Sequence, residues 1–486
     1  TLFKKRESYK KIIAIEPNSS DNKIHRYFWQ KNGGGNFMKV VKFGGTSVSS
    51  AEQIKKVFQI VTADRERKIV VVSAPGKRKK DDIKVTDLLI KCGEEYCKTG
   101  NGKEAFLAVV DRYAEIAHEL GVSEHIIDRI AADLQEILHG DRSNASRFMD
   151  AVKASGEDNS AKLIAAYFQS CGVEAHYVNP KEAGLFLTDE PGNAQVLPEA
   201  YEQLKKLRDR PGILIFPGFF GYSKTGEIVT FSRGGSDITG SILASAVGAT
   251  VYENFTDVDA VYTVNPNFVD NPKEIHEITY KEMRELSYGG FGVFHDEALI
   301  PVFRSGVSVN IKNTNNPNHP GTKIVHHRNN QNGPVVGIAS DTGFSNIYVN
   351  KYLMNREIGF GRRLLQILED FHLSYEHTPS GIDDISVILR QNQLDLATER
   401  QVLERIKTEL HADEVHIEHD LAMIMIVGEG MRQAIGTMSR AAAAFARSGV
   451  NILMINQGSS EVSMMFGVKA ADEKKAVQAL YEEFFN

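Results

Sequence analysis

Two glycine turns carry the residues best placed to do chemistry. The first is Val40-Val41-Lys42-Phe43-Gly44-Gly45-Thr46-Ser47-Val48, a strand end with a lysine and a double glycine. A helix is expected after it, with Ser49 or Ser50 as N-cap. Glycine lets the backbone approach a ligand, a helix N-terminus favours negative charge, and a lysine is a point charge suited to phosphate. Together they read as a phosphate cradle, though not a P-loop, in which the lysine follows the glycines. The second turn is Thr230-Phe231-Ser232-Arg233-Gly234-Gly235-Ser236-Asp237, with a helix expected over 238–246. An arginine fork grips a carboxylate through two hydrogen bonds, and the glycines expose N–H groups to an anion. The first turn alone is equally a glycine-rich strand-to-helix turn with an exposed lysine, and the plain alternative for the second is a capped turn with a surface arginine. Two in one domain favour a site.

Three weaker groups accompany them. Thr256-Asp257-Val258-Asp259, with Tyr262 nearby, offers a hydroxyl, carboxylates and a ring, a set able to hold a base, a ribose and a metal-bound phosphate chain. Ser155-Gly156-Glu157-Asp158 stands before a helix expected over 159–169, where acidic residues are ordinary caps and Glu157 can also take an ammonium. Thr86-Asp87 opens another helix; either can cap it, and Thr86 can also bond a small ligand. The basic run Lys77-Arg78-Lys79-Lys80 reads as a solvated loop.

The elements that must position these groups alternate. β-branched runs at 68–74 and 212–216 end in Pro75-Gly76 and Pro217-Gly218, and near-continuous apolar strands suit a sheet covered on both faces. Residues 105–139 read as helical, and the whole of 38–325 as an α/β layered domain. Residues 313–334, rich in Asn, Pro and Gly, read as a linker. Beyond it a β-α-β-β order occurs twice. The first unit has strands at 346–349, 373–377 and 385–389, and a helix with Phe360, Leu364, Ile367, Leu368 and Phe371 on one face. The second has strands at 422–427, 451–455 and 461–468, and a helix with Met431, Ile435, Met438, Ala442 and Phe445 on one face. Neither unit buries its faces alone, so the two are expected to pack together.

Composition excludes several classes. A net charge of −6 gives no global reason for nucleic-acid binding, and no apolar run approaches a membrane span. Cys92, Cys97 and Cys171 form no metal spacing, which fits a reduced cytoplasm. Residues 1–37 hold eight Lys or Arg against three Asp or Glu, with Gly33-Gly34-Gly35, and lack the apolar stretch of a secretory signal. They read as a tail, a tag or an upstream start, outside the fold.

In combination and order, Lys42-Phe43-Gly44-Gly45-Thr46-Ser47, Val72-Ser73-Ala74, Ser155-Gly156-Glu157, Arg233-Gly234-Gly235-Ser236-Asp237 and Thr256-Asp257-Val258-Asp259 resemble the aspartate kinases of the amino-acid kinase family. The paired C-terminal units resemble ACT domains. The resemblance implies a three-layer α/β kinase sandwich over 38–325, then two βαββ ACT-type domains over 335–415 and 416–486, with boundaries that can interleave. It implies ATP-dependent phosphorylation of the L-aspartate β-carboxylate with Mg²⁺. By that resemblance Lys42 and Asp237 are catalytic. Thr86, Glu157, Arg233 and Ser236 bind substrate. Lys42, Gly44, Gly45, Thr256, Asp257 and Tyr262 bind nucleotide, and no protein metal cage is implied. One departure stands out. Where many relatives have Gly-Ala-Lys-Val-Leu-His, this chain has Gly290-Phe291-Gly292-Val293-Phe294-His295, without the lysine. Lys77, Lys84 or another cation can substitute. His295 reads as structural, since a carboxylate acceptor is already ionised and needs no base.

The ACT pair implies sensing of lysine or threonine, with Met354, Phe360, Glu376 and Ser380 as candidate effector contacts, and a homodimer or larger assembly. For Glu376 the plain alternative is a surface charge on an edge strand. Two other readings of the chain stay open: a kinase for another acid such as glutamate, and a non-catalytic amino-acid sensor with a degenerate kinase domain.

Overall fold

The computed structural model describes residues 37–232, 234–328 and 333–486. The expectations placed on residues 1–36 and on Arg233 lie outside the described residues. Up to residue 325 the strands are β1 (Lys39–Phe43), β2 (Arg67–Val72), β3 (Ala175–Tyr177), β4 (Ile213–Pro217), β5 (Phe220–Tyr222), β6 (Ile228–Thr230), β7 (Val251–Thr256), β8 (Val261–Tyr262), β9 (Glu274–Ile275), β10 (Glu277–Thr279), β11 (Ser308–Asn313) and β12 (Thr322–Val325).

Eight of them form one sheet in the order β10-β12-β11-β7-β1-β2-β4-β3. β1 pairs in parallel with β2 on one side and β7 on the other, while β12 runs antiparallel to β11. Strand side chains alternate between faces. Val41 and Phe43 therefore enter the core under helices Ala51–Thr62, Val85–Thr99, Lys103–Leu120, His125–His139 and Ala145–Ser170. Lys42 points the other way, toward helix Gly235–Val247. The chain steps from β1 to β2 and β4 on one side and returns to β7 on the other. The carboxyl end of β1 thus lies at a switch in strand order, where open α/β sheets bind ligands.

Local expectations fail at several places. The region 105–139 is two helices, divided at Gly121, whose φ of +67° ends the first. Ser155-Gly156-Glu157-Asp158 does not precede a helix; it lies within Ala145–Ser170, which Asn144 caps. Its glycine reflects packing, because a Cβ on Gly156 would lie 2.9 Å from Ala74 Cβ. Neither Thr86 nor Asp87 caps its helix, whose N-cap position is Lys84, with no side-chain cap bond. The stretch read as linker contains β12, whose Thr322 and Ile324 are buried.

The C-terminal part is one five-stranded sheet, formed by β13 (Gly337–Asn350), β14 (Asp384–Arg390), β15 (Glu414–Val427), β16 (Met454–Asn456) and β17 (Ser463–Lys469), in the order β14-β13-β15-β17-β16. β13 and β15 are each 14 residues long, and each serves both units. Phe344–Asn350 of β13 pairs with β14, while Gly337–Thr342 pairs with Ala422–Val427, the half of β15 that also pairs with β17. The expected boundary between 415 and 416 falls inside β15.

Helices Phe360–Asp370 and Leu396–Glu409 cover the first half of the sheet, and Thr437–Arg447 and Glu473–Phe485 the second. The second helix of each unit was not expected from the sequence. Residues 373–377 contribute only a bridge from His377 to Ile388 instead of a strand. Ile435 precedes its helix and is fully exposed, and Met431 sits in a preceding 3₁₀ turn, so neither belongs to the helix face expected for it.

Candidate active site

The site is built where backbone turns meet. After β1, Ser50 caps helix Ala51–Thr62 by accepting from Gln53 N, and a 3₁₀ turn, Gly45–Val48, intervenes between strand and helix. After β2, Gly76 N donates to Gly45 O at 2.8 Å, joining the two turns. A Cβ on Gly76 would stand 2.6 Å from the Gly45 carbonyl carbon, so only glycine permits this approach. After β4, Gly218 lies against Ser236, where a Cβ would come within 2.6 Å of Oγ.

Across these turns Lys42 Nζ meets Asp237 Oδ1 at 2.6 Å, and both side chains are nearly buried. The two cation-bearing turns, about two hundred residues apart in sequence, therefore converge. Asn254 of β7 also donates to Asp237 Oδ1, at 2.7 Å, and Tyr252 OH donates to its backbone oxygen. No side chain caps helix Gly235–Val247, and Gly234 at its N-cap has φ +80°. Its first turn is thus open to an anion.

Glu157 reaches this centre from its mid-helix position. Its Oε1 accepts from Ala74 N at 3.0 Å, while Oε2 is buried with no hydrogen-bond partner among the described residues. Burial pushes its carboxyl up to about 7, against the opposing pulls of the Ala74 N–H and the Lys42 charge. A buried acid of this kind, poised to ionise beside a cation, suits the grip of an ammonium group.

The structure thus brings together Lys42, Gly44, Gly45, Glu157, Ser236 and Asp237. Thr256 ends β7 and Asp257 follows it, and Phe255 O of the same strand accepts from Gly44 N at 3.1 Å, so both border the first turn. Thr86 follows Val85, whose N–H donates to Pro75 O. Tyr262 lies on β8, paired with β9, and burial raises its hydroxyl above the ordinary range. Sequence reasoning missed Asn254, Gly76 and Gly218. The last two were legible as Pro-Gly pairs at strand ends but were read only as stops. At Gly292 a Cβ would meet nothing within 4 Å, so packing does not demand a glycine there. His295 packs against the second turn, 2.5 Å from where a Cβ on Gly234 would stand.

The effector candidates fare differently. Met354 and Phe360 are buried in the core of the first unit, because they face inward beneath its helix, and do not line an open site. Glu376 accepts from Tyr288 OH and stands 3.5 Å from Arg390, so it is committed within the protein. Ser380 lines a hollow of about 470 Å³ on the open face of the sheet, with Asn346, Tyr348, His416 and Met454.

Comparison with known proteins places this geometry. Residues 38–313 match the amino acid kinase family, and residues 424–484 match the ACT domain. The chain is 67% identical over 448 residues to Aspartokinase 3 of Bacillus subtilis (strain 168), covering 92% of this chain and 99% of that one. The crystal structure of an aspartate kinase from Clostridium acetobutylicum, 37% identical, matches with a TM-score of 0.81 over 92% of this chain and 100% of that one. E. coli aspartokinase III, solved with aspartate and ADP, shares the fold at 24% identity and a TM-score of 0.77, over 92% of this chain and 100% of that one.

Proposed function

Because the chain belongs to the aspartokinases of the amino acid kinase family, we propose that it uses ATP to phosphorylate the β-carboxylate of L-aspartate, giving β-aspartyl phosphate, the first step toward lysine, threonine and methionine. The observation that carries this reading is the Lys42–Asp237 contact, which joins a phosphate cradle to an anion-binding helix start. Transfer of a phosphoryl group between two anions needs positioning and charge neutralisation more than covalent chemistry. Lys42 neutralises the transferring group, and Asp237, held by Asn254, orients the lysine. Glu157 takes the substrate ammonium and Arg233 a carboxylate, with Thr86 and Ser236 beside them. Gly44, Gly45, Thr256, Asp257 and Tyr262 line the nucleotide. Mg²⁺ would supply further charge neutralisation, held mainly by the nucleotide phosphates and water.

The catalytic region spans 38–325, and the two ACT-type units sense lysine or threonine, alone or together. The enzyme works in the cytoplasm as a homodimer or larger assembly. Among the described residues no helix is long and apolar enough to cross a membrane.

ADP release measured with L-aspartate, and with L-glutamate as the competing acceptor, tests the reaction. Lys42→Ala should lower kcat by about 100-fold or more while ATP affinity changes little. Replacing Arg233 should mainly raise the aspartate KM. Aspartate-independent turnover, or exchanged phenotypes, would contradict these roles. Rates with saturating lysine and threonine test the regulation.

A further inference from the structure

Helix Lys103–Leu120 carries none of the residues assigned above, yet it grips three segments of the site. Arg112, on its inner face, is 5% exposed. Its Nη2 donates to Gly76 O at 2.8 Å and to Ser49 O at 3.3 Å. Its Nη1 donates to Asp82 Oδ2 at 2.8 Å. The neighbouring Tyr113 donates to Gly156 O at 2.6 Å, one residue from Glu157. Ser49 closes the turn that follows Lys42, and Gly76 is the residue whose N–H bonds Gly45 O. One guanidinium therefore spans the far ends of both turns that touch at the phosphate cradle.

Asp82 completes the arrangement. It also accepts from Arg78 N and Nε, and Arg78 in turn reaches Glu115 on the same helix. The Arg78 and Arg112 guanidinium groups hold the Asp82 carboxyl well below the usual carboxylate range. The basic run 77–84 is thus not merely a solvated loop, since one of its carboxylates anchors the buried arginine. Lysine cannot replace this geometry, because an ammonium lacks the planar fork that meets two carbonyls and a carboxylate at once.

We propose that Arg112 is a positioning residue for phosphoryl transfer: it holds the Gly44-Gly45 and Pro75-Gly76 turns in register with Lys42 and touches no substrate itself. The inference rests on the phosphotransfer function proposed above. A displacement of about 1 Å in such a frame can cost about 100-fold in rate, so the role should show in kcat before KM.

The experiment uses the full chain. The wild-type rate with aspartate and with glutamate is measured first, and whichever acceptor is phosphorylated serves for the variants, so a wrong acceptor is separated from a wrong role for Arg112. Arg112→Lys keeps the charge, and Asp82→Asn removes the carboxylate charge shared by Arg112 and Arg78. The expected result is a kcat for Arg112→Lys lowered by about 10- to 100-fold per folded molecule, with the ATP and acceptor KM values changed far less. Asp82→Asn should show the same split at smaller size per folded molecule, with a lowered unfolding midpoint because buried Arg112 loses its carboxylate partner. Millimolar guanidinium should restore part of kcat to Arg112→Ala. Unchanged kcat in folded Arg112→Lys and Asp82→Asn, a loss confined to KM, or a loss that follows the folded fraction alone would overturn the proposal.

Discussion

At the carboxyl edge of the kinase sheet, polar atoms are buried and left open. Glu157 Oε2 and Asn254 Oδ1 lack hydrogen-bond partners among the described residues, inside a frame of glycine turns in backbone contact. In the regulatory sheet the imbalance is reversed. Ile358 is 99% exposed and Ile435 104% exposed, each immediately before a glycine N-cap with φ of +80° or +86°. Unpaired polar atoms in a rigid frame cost stability and are recovered by a charged ligand. Exposed apolar side chains on turns cost little and can change partners. One region is shaped for a fixed chemical task, and the other presents two equivalent loops, each with an exposed isoleucine.

The sharpest way to break this contrast is to sever the link between the regions. Glu282 is fully buried, pairs with Arg328 through two hydrogen bonds, and accepts from Glu429 N in the second unit. Glu282→Gln strands a buried arginine and should cost about 3–5 kcal/mol in denaturant unfolding. If the two regions are independent, the loss will appear in one transition only and leave the aspartate rate intact.

Next in size is Gly76→Ala. Its Cβ collides with backbone at Gly45, so kcat should fall by about 100-fold per folded molecule, with an overpacking cost of about 1–3 kcal/mol in denaturant unfolding. The same substitution at Gly292, where a Cβ meets nothing, should leave kcat within twofold of wild type or about that.

Acid dependence sharpens the description of the catalytic edge. With its carboxyl raised to about 7, Glu157 is largely neutral below that pH in the free enzyme. Ammonium binding needs the ionised form, so kcat/KM for aspartate should rise as pH passes through about 7, and Glu157→Gln should flatten the profile. The sign for folding is opposite. The native state holds this proton more tightly than the unfolded chain, so the contribution of Glu157 to stability is full below the ordinary carboxylate range and is lost as pH rises through about 7.

The smallest effect is expected at the exposed isoleucines. Ile358→Ser and Ile435→Ser should change unfolding free energy by no more than about 0.5 kcal/mol, while the response to lysine or threonine shifts. A large loss of stability would mean these side chains are already packed in solution.

Much of the candidate site was legible because its chemistry is written in short segments. Lys42-Phe43-Gly44-Gly45 and Gly234-Gly235-Ser236-Asp237 announce strand, turn and helix start within a few residues. Glu157 was recognised as a residue but misplaced on its element, because Ser-Gly reads as a helix boundary when the reason for the glycine is contact with Ala74, 82 positions away. The regulatory half was less legible for a related reason. Gly343, at φ +81°, and the register shifts around Phe344 divide β13 between two neighbourhoods, and which neighbour each half pairs with is decided by β14, β15 and β17 far along the chain. Helix Leu396–Glu409 buries only Val402 and Ile406 fully, too sparse a pattern to stand out against its charges.

The two long strands of that sheet bear on how such a regulator can be inherited. A fragment starting at residue 416 would lack Gly337–Thr342, and one ending at 415 would lack nearly all of β15. Neither half is a cassette that recombination can delete, duplicate or transplant on its own. Descendants of this chain must keep or discard both units together.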